Sequence, residues 1–459
     1  DNWANAITGK VAGATVNATS GAPGASSQIV LRGFNSIGGD NSALIILDGV
    51  PLNNSVVNQS RLAGDLPNRN NDYTNRAADI NPDDIESLTV LKGPEAAALY
   101  GVEAGNGAII ITTKKGKAGK VKIGYENNFR WEQIVKFPEV QKVYDNGLNG
   151  AYANTTRSFF GPKYADGTKF YNNAKNFFNV GKATKHNLSL DGGRGATAYR
   201  GSASYYNQEG VIPNTGNRKI NARVTITNKI ARKIDVTTTA AYYNQYNRKA
   251  FRGIGGYYLG LLTWPLDDDA RKWQNIAGNR RIISKSAGVD NPAEANNPFF
   301  EVTRNKNYDV NNRFTFNNNI TFPVNDWLSF DLRAGVDAYS QNGATLYDRE
   351  SFNVYTVGGN IEDYTVNYKA FNSNFLATAK KSFGNFNVKL LVGQSFDDRT
   401  TTSWSNRGDS VLDIARNLKP KDVRVEGNTS LLKRLNSRTQ GRDTLTLQRS
   451  IGVFGDLAI

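Results

Sequence analysis

The chain of 459 residues has no cysteine, no methionine and one histidine, His186. Without cysteine there is no disulfide framework, no CxxC zinc site and no thiol nucleophile. A single histidine argues against a histidine-built metal cluster and against a Ser-His-Asp triad. His186 lies between Lys185 and Asn187 in a strand-like run and reads as a strand residue, not a ligand. No run of 18 apolar residues occurs, so no transmembrane helix is expected. The first residue is Asp1 with no leader ahead of it, so the visible N-terminus is read as not the start of translation.

What is present divides into two regions. The mean hydropathy of −0.51 suits a soluble protein. It also suits a membrane β-barrel, in which only alternate residues face lipid. The formal charge of +15 is unevenly spread. Residues 1–119 carry 9 basic and 11 acidic residues, and the remainder carries 47 and 30. A basic second region fits either nucleic-acid binding or the lumen, loop and rim charge of a barrel. The basic residues are scattered through strands without a compact tract, which favours the barrel.

Residues 1–119 read as a mixed α/β unit. Gln28–Leu31 and Leu44–Leu47 are apolar runs of strand length, with a turn at Gly38–Asn41 between them. Asp48–Gly49 is a tight turn. Asn81 and Pro82 read as N-cap and first residue of a helical turn, with Asp83–Asp84 at its favourable end. Ser87–Leu91 is the next strand, and Gly93–Pro94 breaks it. Glu95–Tyr100 is a short helix of good formers, stopped by Gly101. Asn106–Gly107 is a turn before the β-branched strand Ala108–Thr113.

From residue 120 the period changes to two. Leu328, Phe330, Leu332, Ala334, Val336 and Ala338 share one face. Ser329, Asp331, Arg333 and Asp337 share the other. Val121, Ile123, Tyr125, Phe129 and Trp131 oppose Lys122, Glu126, Asn128 and Arg130. Ile220, Ala222, Val224 and Ile226 oppose Asn221, Arg223, Thr225 and Thr227. Similar runs lie near 185–191, 197–207, 234–246, 311–322, 369–383, 386–397 and 445–459. That is about ten strands, many long enough to cross a bilayer when tilted, which takes ~9–11 residues. Aromatic residues gather near strand ends: Phe129/Trp131, Tyr205/Tyr206, Tyr242/Tyr243/Tyr246, Trp327 and Tyr339. They read as an interfacial girdle. A soluble sandwich with aromatic cross-strand pairs is the alternative; its strands are usually only ~5–6 residues. The longest loop, roughly 250–307, contains Trp264–Pro265, Asp267–Asp269 and Asn296–Pro298.

Three motifs are set aside. Gly192–Gly195 lacks the Lys-Ser/Thr of a P-loop and reads as a turn between strands. Asp267–Asp269 offers hard oxygens of the kind calcium takes, but matches no EF-hand spacing and reads as a solvated loop. Asp397 and Asp398 are adjacent in a strand, so they point to opposite faces.

The first region resembles the plug domain of TonB-dependent outer-membrane transporters, most closely the SusC/RagA-like branch. The resemblance rests on Arg32–Gly33, Asp48–Gly49–Val50–Pro51, Asp84–Ile85–Glu86–Ser87 and Leu91–Lys92. It continues through Ala96–Ala98, Tyr100–Gly101, Ala104–Gly107 with Asn106, and Ile111–Lys114. Gly93–Pro94 departs from the branch and is commoner in receptors outside it. The motifs span about 90 residues. The resemblance implies a mainly β fold: a transmembrane antiparallel β-barrel, 22-stranded in a complete relative, with an N-terminal α/β plug inside it. Residues 1–119 are the plug, with its N-terminal part expected to be missing, and 120–459 part of the barrel.

The implied activity is energy-coupled import of a large nutrient, a glycan or peptide, across the bacterial outer membrane. The implied partners are a SusD-like surface lipoprotein, TonB through a segment absent from this chain, and the lipid bilayer. No catalytic residue, metal, cofactor or nucleic acid is expected, with calcium in an extracellular loop the one candidate ion. The alternative is a non-transporting scaffold subunit among other subunits of an outer-membrane secretion or assembly complex. Substrate contact is expected at Arg69, Asn70, Asn71, Asp72 and Tyr73, which combine donors, acceptors and an aromatic platform. Arg32, beside a strand end, is expected to be buried and to pair with a carboxylate where plug meets barrel. A third reading is a soluble basic β-protein that binds nucleic acid.

Overall fold

The computed structural model describes the chain apart from residues 1–2, 19, 35–40, 55–73, 93–95, 97–99, 154–157, 232, 252–256, 277, 282–295, 352–358, 384–385, 410–439 and 459. Six strands form the first region: β1 (Ala14–Ala18), β2 (Ser27–Leu31), β3 (Leu44–Leu47), β4 (Val50–Leu52), β5 (Ile85–Leu91) and β6 (Ala108–Thr113). β1 and β2 make an antiparallel pair. The others form one sheet in the order β4-β3-β6-β5, with β3 and β6 parallel. The run Leu44–Leu47 pairs on both sides, so its near-continuous apolar sequence is what a buried central strand needs. Asp48 and Gly49 both have positive φ (50° and 92°), as a two-residue hairpin turn requires. Ile29, Leu31, Ile45, Leu47, Ile109 and Ile111 form the centre of the core. Trp3 closes it, with Nε1 donating to Ala77 O at 2.8 Å.

The sequence-read helical turn at Asn81–Pro82 is a three-residue 3-10 turn, Pro82–Asp84, with Asn81 Oδ1 accepting from Asp83 N. Of the predicted helix Glu95–Tyr100, Ala96 and Tyr100 are described and helical. Gly101 follows with a φ of 80°. The expected turn at Gly38–Asn41 and the Gly93–Pro94 break lie largely outside the described residues.

The second region is one ten-stranded antiparallel sheet. Its strands are β7 (Gly119–Glu132), β10 (Gly181–Arg194), β11 (Thr197–Glu209), β12 (Gly216–Ile230), β13 (Ile234–Arg248), β14 (Lys306–Pro323), β15 (Leu328–Tyr347), β16 (Asn360–Phe383), β17 (Phe386–Asp409) and β18 (Gln440–Ala458). A small hairpin, β8 (Gly147–Leu148) and β9 (Ala151–Tyr152), sits in the first long loop. Each wall strand pairs with its sequence neighbour, and β7 and β18 are the two edges. The sheet is therefore an open section of wall. Four connections are short, at 195–196, 231–233, 324–327 and 384–385, and all lie at one end of the strands. The long connections lie at the other end. In outer-membrane barrels the short turns are periplasmic and the long loops extracellular.

Burial along the wall runs opposite to that of a soluble sheet. In β12, Ile220, Val224 and Ile226 are 43%, 51% and 39% exposed, while Asn221, Arg223 and Thr225 between them are 8%, 6% and 2% exposed. The polar face is covered by the first region. The apolar face is left bare, as lipid contact requires. No helix among the described residues is long and apolar enough to cross a membrane. The wall crosses with strands.

Leu332 lies on the bare face of β15 and is 43% exposed. Arginine there is expected to destabilise assembly by ~2–4 kcal/mol at mid-membrane. Val336→Arg on the same face should act alike. Unchanged abundance and heat-modifiable migration of Leu332→Arg would contradict the assignment of this face to lipid.

The girdle reading needs correction at three residues. Tyr206, Tyr243 and Tyr339 are buried on the covered face, and only Tyr205, Tyr242 and their outward neighbours suit an interface. Adjacent tyrosines in a strand point opposite ways. A pair such as Tyr242–Tyr243 therefore contributes one ring to each side. His186 is on the bare face, stacked on Tyr125 with Tyr125 Oη 2.8 Å from Nδ1.

Candidate functional site

The covered face of the wall meets the first region through charges and amides. Arg313 on β14 is the centre of this boundary. Its Nε and Nη2 donate to the two carboxylate oxygens of Asp337 on β15, both at 2.7 Å. Its Nη1 reaches Asp79 Oδ2 at 3.3 Å and Arg76 O at 3.1 Å, on a single turn formed by Arg76–Asp79. Arg76 pairs with the same Asp79 oxygen at 3.4 Å. Both guanidinium groups lie 5.9 Å from the centre of the Tyr339 ring, within reach of its π face. Two arginines and two aspartates thus balance, with side chains 0–1% exposed. Asn53 N donates to Asp337 Oδ2 at 3.3 Å and adds a backbone tie from the strand after the Asp48 turn.

A second cluster surrounds Asp48. Its carboxylate accepts from Thr113 N and Thr113 Oγ1 within the first region, and from Arg223 on β12. Asn319 on β14 donates to Asp48 O at 3.0 Å. Lys219 Nζ donates to Ala78 O at 2.8 Å. Lys185 pairs with Asp83 at 2.6 Å, and Arg200, near the short-turn end of β11, lies between Asp191 (2.7 Å) and Asp84 (3.8 Å). Beside the Asp48 cluster lies a cavity of about 540 Å³ between the two regions. Threonines at 225, 227, 237, 239 and 321 line its wall side.

At the long-loop end, the helices Asn173–Phe177, Tyr257–Leu262 and Pro298–Arg304 pack around Phe177, Phe251, Tyr257, Leu261 and Val302. The Asn296–Asn297–Pro298 stretch, read as loop, starts the last helix. Asn297 Oδ1 caps Phe299 N and Phe300 N, and proline takes a first-turn position that lacks a donor requirement. Asp268 is held by Arg281 (2.6 Å) and by Trp264 Nε1 (2.9 Å), and Asp269 by Arg271 (2.8 Å). These aspartates, the candidate ion ligands of the sequence, bind side chains of their own loop. No cluster of three or more His, Asp or Glu suited to a metal occurs among the described residues.

Glu301 in the last helix is buried. Burial pushes its carboxyl up to about 8, against the opposing pull of the Asn296 amide and Arg280. Unfolded, it ionises near 4.5. The folded loop therefore holds a proton that the unfolded loop has lost between those values. Its contribution to loop stability is complete below pH 4.5 and is lost as pH rises through 8. Limited proteolysis of the complete protein should cut this loop several-fold faster at pH 9 than at pH 6. Glu301→Gln should abolish the difference; an unchanged pH profile in that variant would refute the assignment.

The structure places the sequence-read residues as follows. Arg69–Tyr73 lie outside the described residues. The next residue, Thr74, is tied to Gly24 O and to Asn247 of β13. Arg32 is corrected: it is exposed, in the left-handed conformation at φ 62°, just past the end of β2. Its backbone N–H donates to Gly13 O at 2.9 Å, extending the β1–β2 ladder one bond past the Ala14–Leu31 pair. Lys92 Nζ donates to Ala12 O, and Glu86 is exposed on β5. Pro51 lies in β4 beside the buried Val50 and Leu52. Gly33, Tyr100 and Gly101 stand at ends of elements, and Asn106–Gly107 leads into β6. Asp48 joins both regions through Arg223, as the motif's Asp84 does through Arg200. Sequence reading missed Arg76, Asp79, Lys219 and Arg313. For Lys219 and Arg313 the available signal was a charge on the polar face of an alternating strand, which Arg223 and Asp337 also carry; Arg76 and Asp79 lie in a 3-10 turn and carry no such signal.

Comparison with known proteins fits this geometry. Residues 1–108 match the TonB-dependent Receptor Plug Domain. The chain is 28% identical over 410 residues to TonB-dependent receptor SusC of Bacteroides thetaiotaomicron, covering 85% of this chain and 39% of SusC. It is 27% identical over 467 residues to TonB-dependent receptor P26 of Formosa agariphila, covering 96% and 44%. The RagAB peptide importer in its open-open state superposes with a TM-score of 0.73 at 18% identity, over 99% of this chain and 50% of that one. The chain thus spans half the length, or less, of these proteins. A polar-faced strand wall with a mixed α/β plug on its inner side is the arrangement of an outer-membrane β-barrel receptor. Within that class, residues 1–108 carry the TonB-dependent receptor plug, and the chain resembles SusC in sequence and RagAB in fold, a likeness that places it in the bacterial outer membrane.

Proposed function

We propose that the chain is part of an importer that moves a large nutrient, a glycan or peptide, across the outer membrane with energy delivered by TonB. The observation that carries this reading is the chemistry of the plug–wall boundary. It is built from ion pairs and amides rather than interlocked apolar side chains. Such groups exchange protein partners for water at small net cost, about 0.5–1.5 kcal/mol per ordinary hydrogen bond. An apolar boundary of the same extent would resist withdrawal in proportion to its area. Arg76 Nε, Asp79 Oδ1 and Arg223 Nε have no protein hydrogen-bond partner among the described residues, which suits a boundary that water enters. A polar boundary is what a plug that must shift needs, and a static scaffold has no use for it.

The likeness to SusC and to the RagAB peptide importer supports a SusD-type lipoprotein as the surface partner, and a peptide or glycan as cargo. The hydroxyl-rich cavity beside Asp48 suits such hydrogen-bonding cargo on its way past the plug. The test is depletion of labelled oligopeptides and oligosaccharides from the medium by cells carrying the complete protein. Uptake should stop on collapse of the proton gradient and on loss of the proposed SusD-type lipoprotein. Cells that deplete neither pool while the protein is abundant would turn the reading towards a scaffold.

A further inference from the structure

The outer faces of β12, β13 and β14 change character in a fixed order toward the long-loop end. The apolar part comes first: Ile220 to Ile226 on β12, Ala240 and Tyr242 on β13, Phe314 and Phe316 on β14. By strand alternation the same faces continue through Asn244 and Asn312, which hydrogen-bond each other, to Tyr246 and Val310. They end in three cations, Arg218, Arg248 and Lys306. These lie close together in the sheet register: Arg218 is paired with Tyr246, Arg248 with Tyr308, and Lys306 stands two residues before Tyr308. The Arg218 guanidinium lies 5.6 Å from the Tyr246 ring centre.

A cavity of about 330 Å³ opens at this rim, lined by Tyr246, Arg248, Lys306 and Tyr308 among others. The 213–215 turn and the Pro298–Arg304 helix close its sides, joined by Asn214 Nδ2 donating to Val302 O at 2.8 Å. No aspartate or glutamate is among its described lining residues. Lys249 touches it from the inner side but is neutralised by Asp309 at 2.9 Å. Lipid-facing side chains, then aromatics, then cations is the order of acyl chain, interface and acidic headgroup in a leaflet. The long-loop end puts this rim at the outer leaflet.

We propose that this rim binds the phosphorylated headgroup of an outer-leaflet lipid. Arg248 and Lys306 take the phosphate, as guanidinium and ammonium groups do. Arg218 on Tyr246 forms the lower lip, and the acyl chains lie on the apolar faces below. The site is outside the lumen, so it is separate from cargo import. A lipid suits it better than a soluble anion because the cations stand at the end of the same outer faces that carry the lipid-contacting residues.

The test uses the complete protein, purified in detergent and stripped of lipid, with native mass spectrometry as the readout. Monophosphoryl lipid A, its dephosphorylated form and inorganic phosphate are the three probes. Monophosphoryl lipid A should bind at least about fivefold better than the dephosphorylated lipid. Arg218→Gln/Arg248→Gln/Lys306→Gln should lose about fivefold in that affinity per cation removed. Should the triple variant misfold, Arg248→Gln alone should show a single fivefold loss. Equal binding of both lipids, variants that bind like the parent, or displacement of the lipid by inorganic phosphate at equal concentration would each overturn the proposal. Uptake is not the readout, so its failure and that of the import reading remain separate.

Discussion

The oxidised Val50→Cys/Gly335→Cys double variant of the complete protein is expected to import nothing, and reduction is expected to restore uptake. Val50 sits in β4, one residue past the Asp48–Gly49 turn, and is 1% exposed. Gly335 is on the covered face of β15. A Cβ placed on it would lie 2.5 Å from Val50 Cγ2 and 2.8 Å from Val50 Cγ1. That separation explains why position 335 is glycine: any side chain there would strike the plug. A cysteine at position 50 removes the branch and puts its sulfur near those carbons. The two Cβ atoms start slightly closer than the ~3.5–4.5 Å that a disulfide spans, so plug and wall must part by a few tenths of an ångström to form it. Asn317 Oδ1 lies 2.9 Å from the new Cβ and must turn aside. The chain has no cysteine of its own to compete. The crosslink ties plug to wall without touching the Arg313 network. Val50→Cys alone should import normally, whereas Gly335→Cys alone sets its Cβ against both methyls of Val50 and is not used as a control. Wild-type uptake by the oxidised double variant would mean that this part of the plug keeps its place on the wall during import.

Arg313→Ala should be the most damaging single substitution at the boundary, destabilising the seated plug by about 3–5 kcal/mol. The loss is not the value of an ion pair. It is the cost of leaving Asp337 and Asp79 buried with their charge uncompensated, since both side chains are at most 1% exposed. Arg76 still faces Asp79 at 3.4 Å, so the greater share falls on Asp337. This has a second consequence. Arg313→Met/Asp337→Leu removes both charges together and should be markedly less damaging than Arg313→Ala. Thermal unfolding in detergent, followed by protease access to the plug, reads both. A double variant as unstable as the single one would show that the bidentate geometry itself, not charge compensation, seats the plug.

Much of the fold was readable because it is local. Each wall strand pairs with its sequence neighbour, so a period-two pattern with turns between its runs is nearly the whole topology. All ten runs became strands, and β14, β16 and β17 extend well past the read segments at the long-loop end. There the apolar face gives way to polar residues on both sides, and alternation fades as a signal. The plug strands were readable for a different reason. Short, largely buried strands such as Leu44–Leu47 and Ala108–Thr113 stand out as apolar runs between turn residues.

The boundary was not readable in the same way. Alternation assigned Arg223 and Asp337 to a polar face, but it cannot say what that face meets. Asp48 meets Arg223 across 175 residues, and Arg76 O meets Arg313 across 237. Nor did it decide aromatic residues, which suit both a lipid interface and a buried cation platform. Tyr339 went to the platform, and Arg32 went to solvent at a backbone turn. By itself, the sequence determined the class of protein, the strands and which residues share a face, because these follow from periods and turns a few residues long. Only the tertiary structure decided which charges hold the plug, because a buried charge is stable only beside its partner, and chain folding alone brings the two together.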